Sequence, residues 1–190
     1  MSLAKAVAKA PHLANWTLPP WLKLAINEIG QTEVAGAKSN PRILEYRRMA
    51  GLTQFGEMDD GKVPWCAIFI NAMLAESGVK TSGTAMARSF VRHPDFIRLE
   101  KPMVGCITVI SSSRGPASGH VFFYTAENGL MNQGLGGNQN DSVSVEMFQK
   151  AKLVGHFWPR AVPLLAAPFD QPVRLARPLL PHERKAVRDA

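Results

Sequence analysis

Apolar residues follow helical spacing in the first half of the chain and alternating spacing in the second, with the change near residue 100. After Pro19-Pro20-Trp21, the residues Leu22, Ala25, Ile26 and Ile29 share one helical face, and Gly30 supplies a stop. Proline suits that opening because the first amides of a helix lack partners anyway. A loop follows through Gly36. Asn40-Pro41 reads as an N-cap and first helical residue, opening a helix over 42–50 with Gly51 beyond its end. A third helix is expected after the turn-rich Asp59-Asp60-Gly61 and Pro64, with Cys66 in its first turn. Phe69, Ile70, Met73 and Leu74 form its buried stripe, and Gly78 ends it. Thr84 is placed to cap a short helix running to Phe90.

Beyond residue 100, the segments 105–110, 120–125, 129–132, 143–145 and 153–157 read as short strands separated by Gly, Ser and Asn clusters. Helices first and antiparallel strands second predict an α+β domain, its helices packed on one face of a sheet. Residues 1–18 read as an irregular lead-in and 19–160 as the domain. Residues 161–190 read as a Pro/Arg-rich tail, punctuated by Pro163, Pro168, Pro172, Pro178 and Pro181, with a last helix after Pro181. There is no internal repeat.

Composition narrows this picture. A chain of 190 residues, 46% apolar, suits one domain with a real core. The net charge of +7 favours polyanions: nucleic acid, anionic lipid or cell-wall polymers. The basic residues are scattered and only two Tyr are available for stacking, so nucleic acid is not the expected partner. No stretch of ~18 apolar residues predicts a membrane span. Residues 1–15 are broken by Pro11 and His12, so no signal peptide is read there. Two cysteines, Cys66 and Cys106, are too few for a disulfide scaffold and lack zinc-site spacing, so neither metal nor cofactor is expected.

The candidate chemistry centres on Cys66. A thiolate is stabilised at a helix N-terminus by the dipole and the free amides. Cys66 also lies on the stripe of Ile70 and Met73, so a core role stands beside the catalytic one. His120 follows a Ser/Gly-rich loop and opens the apolar run Val121-Phe122-Phe123-Tyr124. It can serve as the imidazole a cysteine hydrolase needs, or be an exposed loop-end histidine. A third group usually orients such an imidazole. Within Gly136-Gly137-Asn138-Gln139-Asn140-Asp141, Asn138 is the first candidate and Asn140 and Asp141 are reserves; the same residues are also ordinary turn vocabulary. His12, His93, His156 and His182 read as structural, and Cys106 as a core residue.

The order helix-Cys, strand-His and a polar residue some 18 positions later resembles the papain-like peptidoglycan hydrolases. These are the CHAP and NlpC-type cysteine peptidases and amidases, and the similarity is closest to a small phage- and prophage-associated, endolysin-like group. The matching stretches are Pro19-Pro20-Trp21-Leu22, Ser39-Asn40-Pro41-Arg42-Ile43, Pro64-Trp65-Cys66-Ala67, Gly119-His120-Val121 and Leu135-Gly136-Gly137-Asn138-Gln139. The resemblance implies a papain-like fold with the nucleophile helix packed on an antiparallel sheet. It implies Cys66 as nucleophile, His120 as general base and Asn138 as orienting residue, with Trp65, Gly119, Gln139 and Asn140 supporting the site or binding substrate.

The expected activity is cleavage of an amide bond in bacterial peptidoglycan through a thioester, by a monomer that needs no metal or cofactor. Such a protein, made in the cytoplasm without a visible signal, would reach the wall or periplasm after lysis or by non-classical export, with a holin or secretion machinery. As an antibacterial effector it would be paired with an immunity protein. Two other readings stand beside it. One is an acyltransferase or deamidase on the same fold; the other is a non-catalytic domain that binds cell wall or nucleic acid.

Overall fold

The computed structural model describes residues 18–34, 39–56, 58–59, 61–115 and 117–164. Most of the lead-in, part of the loop near Gly36, Asp60, His12, His182, and the tail from 165 with its expected helix lie outside the described residues. Among the described residues three α-helices come first: α1 (Pro20–Asn27), α2 (Pro41–Met49) and α3 (Cys66–Glu76). Six strands follow: β1 (Phe96–Leu99), β2 (Ile107–Ser111), β3 (Gly119–Asn128), β4 (Met131–Gln139), β5 (Ser142–Gln149) and β6 (Leu153–Pro159). They form one sheet in the order β1-β6-β2-β3-β4-β5, with every pair antiparallel. The α+β class expected from the change of period is the class observed.

The helix boundaries follow the local chemistry. Pro20 and Pro41 occupy the opening turns, and the Asn40 side chain accepts the Arg42 amide at 2.8 Å. Glu28, just past α1, takes two hydrogen bonds from the Arg42 guanidinium, at 3.0 and 2.6 Å, and one from the Tyr46 hydroxyl at 2.6 Å. Burial raises the Glu28 carboxyl, but these donors more than offset it and hold it below the usual carboxylate range. The two helices are thereby locked at one corner.

Helix α3 departs from the expected stripe. All residues from Cys66 to Leu74 are buried, because α3 packs on α1 and α2 on one side and on β3 and β4 on the other. A helix enclosed in this way has no polar face to show. Three other expectations are corrected. Strand β1 was not expected at all. The strand expected over 129–132 runs from Met131 through Gln139, so the glycine-rich run around Gly136, which also reads as turn vocabulary, is strand. Thr84 caps only a local turn, its hydroxyl accepting the Met86 amide at 3.0 Å, and the short helix beyond is a 3-10 helix over Ala87–Arg92.

The glycines of β4 have steric reasons. A Cβ at Gly134 would lie 2.0 Å from the Phe122 ring, and one at Gly137 would lie 2.5 Å from the Trp65 ring and 2.7 Å from Phe69 Cβ. Strand β4 is bare where neighbouring aromatic side chains need the space. Among the described residues no helix is long and apolar enough to cross a membrane.

Candidate active site

Strands β3 and β4 are paired from Asn128↔Met131 to Phe123↔Leu135, and the pairing stops there. Strand β4 then bulges between Gly136 and Gln139, where its register with β5 shifts. Opposite this divergence lies the N-terminal turn of α3, with Trp65 and Phe69 against Gly137. Trp65 is fully buried, stacks on Tyr46 with centroids 6.3 Å apart, and donates its indole N–H to Glu33 at 2.6 Å. Glu33 is held in turn by its own amide, which donates to the Asp141 carbonyl at 2.8 Å. The start of α3 is therefore fixed to the β4–β5 hairpin through Trp65 and Glu33.

Cys66 is the first residue of α3, a free thiol with 6% exposure. Trp65 at the N-cap makes no side-chain cap hydrogen bond to the first-turn amides. Burial pushes the Cys66 thiol up from its ordinary value. The backbone amides of Val121, Ala67 and Cys66 itself, together with the positive charge of Arg114, act in the opposite sense. Val121 directly follows His120, so the sulfur lies against the backbone of the histidine strand.

His120 opens β3 with a half-buried imidazole beside Phe122 and Phe148, at centroid distances of 6.1 and 5.3 Å. Its Nε2 lies 3.1 Å from Gln139 Oε1. The Gln139 amide nitrogen donates to the Ser144 carbonyl at 2.7 Å, with a longer contact to the Gly134 carbonyl at 3.4 Å. Those carbonyls can only accept, so the Gln139 oxygen must be the atom facing His120. His120 Nε2 then carries the proton and donates it, which leaves Nδ1 with the lone pair a general base needs. Burial lowers the His120 pKa, Gln139 partly restores it, and Arg114 lowers it again. The resting pair is a neutral thiol and a neutral imidazole. Among the described residues, the side-chain hydrogen bond of His120 goes to Gln139 and none joins it to Cys66.

The side chain that meets His120 is that of Gln139, where Asn138 was the first candidate. Asn138 sits in the bulge with a left-handed backbone, φ 55°, a conformation asparagine tolerates better than most residues. The reserves Asn140 and Asp141, with φ 50° and 58°, are the two-residue loop between Gln139 and Ser142. Positive φ at both positions is what a tight hairpin loop of this kind requires. Asn140 also donates to Glu146 at 3.2 Å, on the exposed side. Gly119 supports the site by absence of bulk, since a Cβ there would meet the Ile110 carbonyl oxygen at 2.6 Å.

Sequence reasoning missed Glu33, Arg114 and Phe148. The spacing of Glu33 from Trp65 gave no signal. A carboxylate on an indole N–H is found only once the fold brings residues 32 positions apart together.

Among the described residues, Cys106 Sγ lies 3.8 Å from His156 Nδ1, a buried cysteine–histidine contact apart from the candidate site. Cys106 is fully buried, its thiol pushed up to about 12 by burial. His156 is buried beside it, and its Nδ1 lies 2.9 Å from Thr108 Oγ1. His93 takes the Asp95 amide on Nδ1 at 3.2 Å. Among the described residues, no cluster of three or more His, Cys, Asp or Glu is arranged to hold a metal. No protein-family model, curated protein or solved structure matches the chain.

Proposed function

We propose that the chain is a papain-like cysteine amidohydrolase that cuts an amide bond in bacterial peptidoglycan, with Cys66, His120 and Gln139 as its working residues. The observation that carries the reading is the fixed Gln139 amide. It directs its oxygen at His120 Nε2 and so presents a basic Nδ1 from the strand whose next amide reaches the Cys66 sulfur.

The chemistry follows from these positions. His120 Nδ1 takes the Cys66 proton as the sulfur attacks the amide carbonyl, and the first-turn amide of Cys66 faces the developing oxyanion. The C–N bond breaks, His120 returns the proton to the departing amine, and a thioester remains. Water, deprotonated by His120, then releases the acid and restores the thiol. The direct sulfur–imidazole contact is made on substrate binding, since catalytic hydrogen bonds often tighten only in the complex. The +7 charge favours approach to anionic wall material, reached after lysis or non-classical export.

The test is digestion of purified peptidoglycan by the wild type and by Cys66→Ala, with soluble fragments read by mass spectrometry. Wild-type fragments absent from the variant are expected, and their masses name the bond. Release by neither protein from several wall types sinks the hydrolase reading. An added amine appearing in the product would move the assignment to acyl transfer.

A further inference from the structure

A cavity of about 500 Å³ lies beside the 3-10 helix Ala87–Arg92, lined by Ser82, Thr84, Arg88, Ser89, Arg92 and His93 among others. That volume falls within the range of small-molecule sites, ~300–1,000 Å³. It adjoins the candidate active site, because the Arg88 side chain packs against Gly119, where a Cβ would lie 3.3 Å from Arg88 Cγ.

The hydrogen-bonding groups around the cavity are unevenly shared out. Ser89 Oγ donates to Ser82 Oγ at 2.7 Å, and Ser82 Oγ donates to Asn71 Oδ1 at 3.2 Å, so both hydroxyl protons are turned into the protein. Asn71 is fully buried on α3 and anchors the network through the Ser82 amide and the Thr84 carbonyl, both at 2.9 Å. Thr84 Oγ1 already accepts the Met86 amide, which leaves its O–H to donate. His93 Nδ1 accepts the Asp95 amide, which leaves Nε2 as its donor. Arg88 and Arg92 make no hydrogen bond or ion pair among the described residues. The nearby carboxylate, Asp95, is engaged by Lys80 at 3.3 Å and lies 4.0 Å from His93.

Four residues with spare donors therefore line this cavity: Arg88 and Arg92 with their guanidiniums, Thr84 with its hydroxyl and His93 with its imidazole N–H. We propose that it is a binding site for a phosphoryl group. One carboxylate would leave one of the two guanidinium charges unbalanced. A phosphate monoester carries about −1.5 to −2 charges and three strong acceptor oxygens, which matches two guanidinium forks with two further donors. The site stands apart from the proposed hydrolysis and shares only the wall at Gly119.

The experiment follows the backbone amides of Thr84, Ser89, Arg92 and His93 by NMR as inorganic phosphate is added to the full chain at constant ionic strength. Saturable shifts centred on these amides are expected, weakened about tenfold or more in Arg88→Gln or Arg92→Gln and unchanged in Arg48→Gln. Shifts no larger than those given by chloride overturn the proposal, as does unaltered binding by a folded Arg88→Gln/Arg92→Gln double variant. In the wild type alone, saturation by acetate at lower concentration than by phosphate overturns the phosphoryl assignment without relying on any variant. Cys66→Ala retains phosphate binding, so loss of hydrolysis and loss of this site are read separately.

Discussion

Gln139 Oε1 accepts the proton of His120 Nε2 across the widening gap between β4 and β3, at 3.1 Å. The contact depends on the bulge, because the register shift between Gly136 and Gln139 decides which residue of the run faces the histidine. It also depends on Ser144, whose carbonyl takes the amide proton and keeps the Gln139 oxygen forward.

Replacing Gln139 removes the tautomer control without touching sulfur or imidazole. Gln139→Leu is expected to lower kcat about 10²-fold, the lower end of what a positioned acid–base group contributes, with a much smaller change in KM. Asn138→Ala should cost activity far less, its effect confined to strain at a left-handed position. Steady-state kinetics on a soluble wall fragment checks both. Equal losses from the two variants would return the orienting role to Asn138.

The sequence carried the helical half of the fold well, because proline, asparagine and glycine punctuate it with local chemistry. Asn40-Pro41 and Pro20 open their helices as expected. It misled where tertiary contact overrode local signals. Gly136 and Gly137 also read as turn vocabulary, yet with Gly134 they are strand residues stripped of side chains by Phe122, Gln139, Trp65 and Phe69. The same run holds the residue that meets His120. The bulge between Gly136 and Gln139 decides which side chain of the run faces His120, and no local residue pattern announces it. The residue types suit their backbones: asparagine tolerates the positive φ found at Asn138, Asn140 and Asp141.

Two adjacent glycines separate site from scaffold. A Cβ at Gly136 would approach Gln139 Oε1 to 2.6 Å, the movable end of a side chain, with Phe122 Cβ at 3.1 Å. A Cβ at Gly137 would meet the buried Trp65 ring and Phe69 Cβ. Gly136→Ala is therefore expected to lose activity through a displaced Gln139, with a smaller loss of stability than Gly137→Ala. Gly137→Ala should lose about 1–3 kcal/mol of stability by overpacking. Urea unfolding beside activity measurements tells them apart; equal destabilisation by both would refute the distinction.

The pH dependence of kcat/KM carries the signs of the two shifts. Activity needs His120 neutral at Nδ1, and burial places its pKa below the ordinary 6.5, so the acid limb should lie below pH 6.5. Burial holds the Cys66 thiol above 9.0, so the alkaline limb should lie above pH 9. Arg114 lowers both groups, and Arg114→Gln is expected to move both limbs to higher pH. A limb that stays fixed in this variant would show that the Arg114 charge does not act on that group.

Stability should respond to acid through His156 rather than through the candidate site alone. Burial lowers the His156 pKa to about 4, with the positive charge of Arg98 acting in the same direction. The ring is neutral and tied to Thr108 in the folded state, while the unfolded chain binds its proton at an ordinary 6.5. The unfolded state therefore holds more protons between those values, and the stability His156 confers is full above pH 6.5 and declines as pH falls toward 4. Solvent screening limits the loss to about 2–3 kcal/mol. His156→Gln cannot take up that proton, so its urea midpoint should be lower than wild type at pH 7 but fall less between pH 6.5 and 4. Parallel declines in wild type and variant would assign the acid sensitivity to other groups.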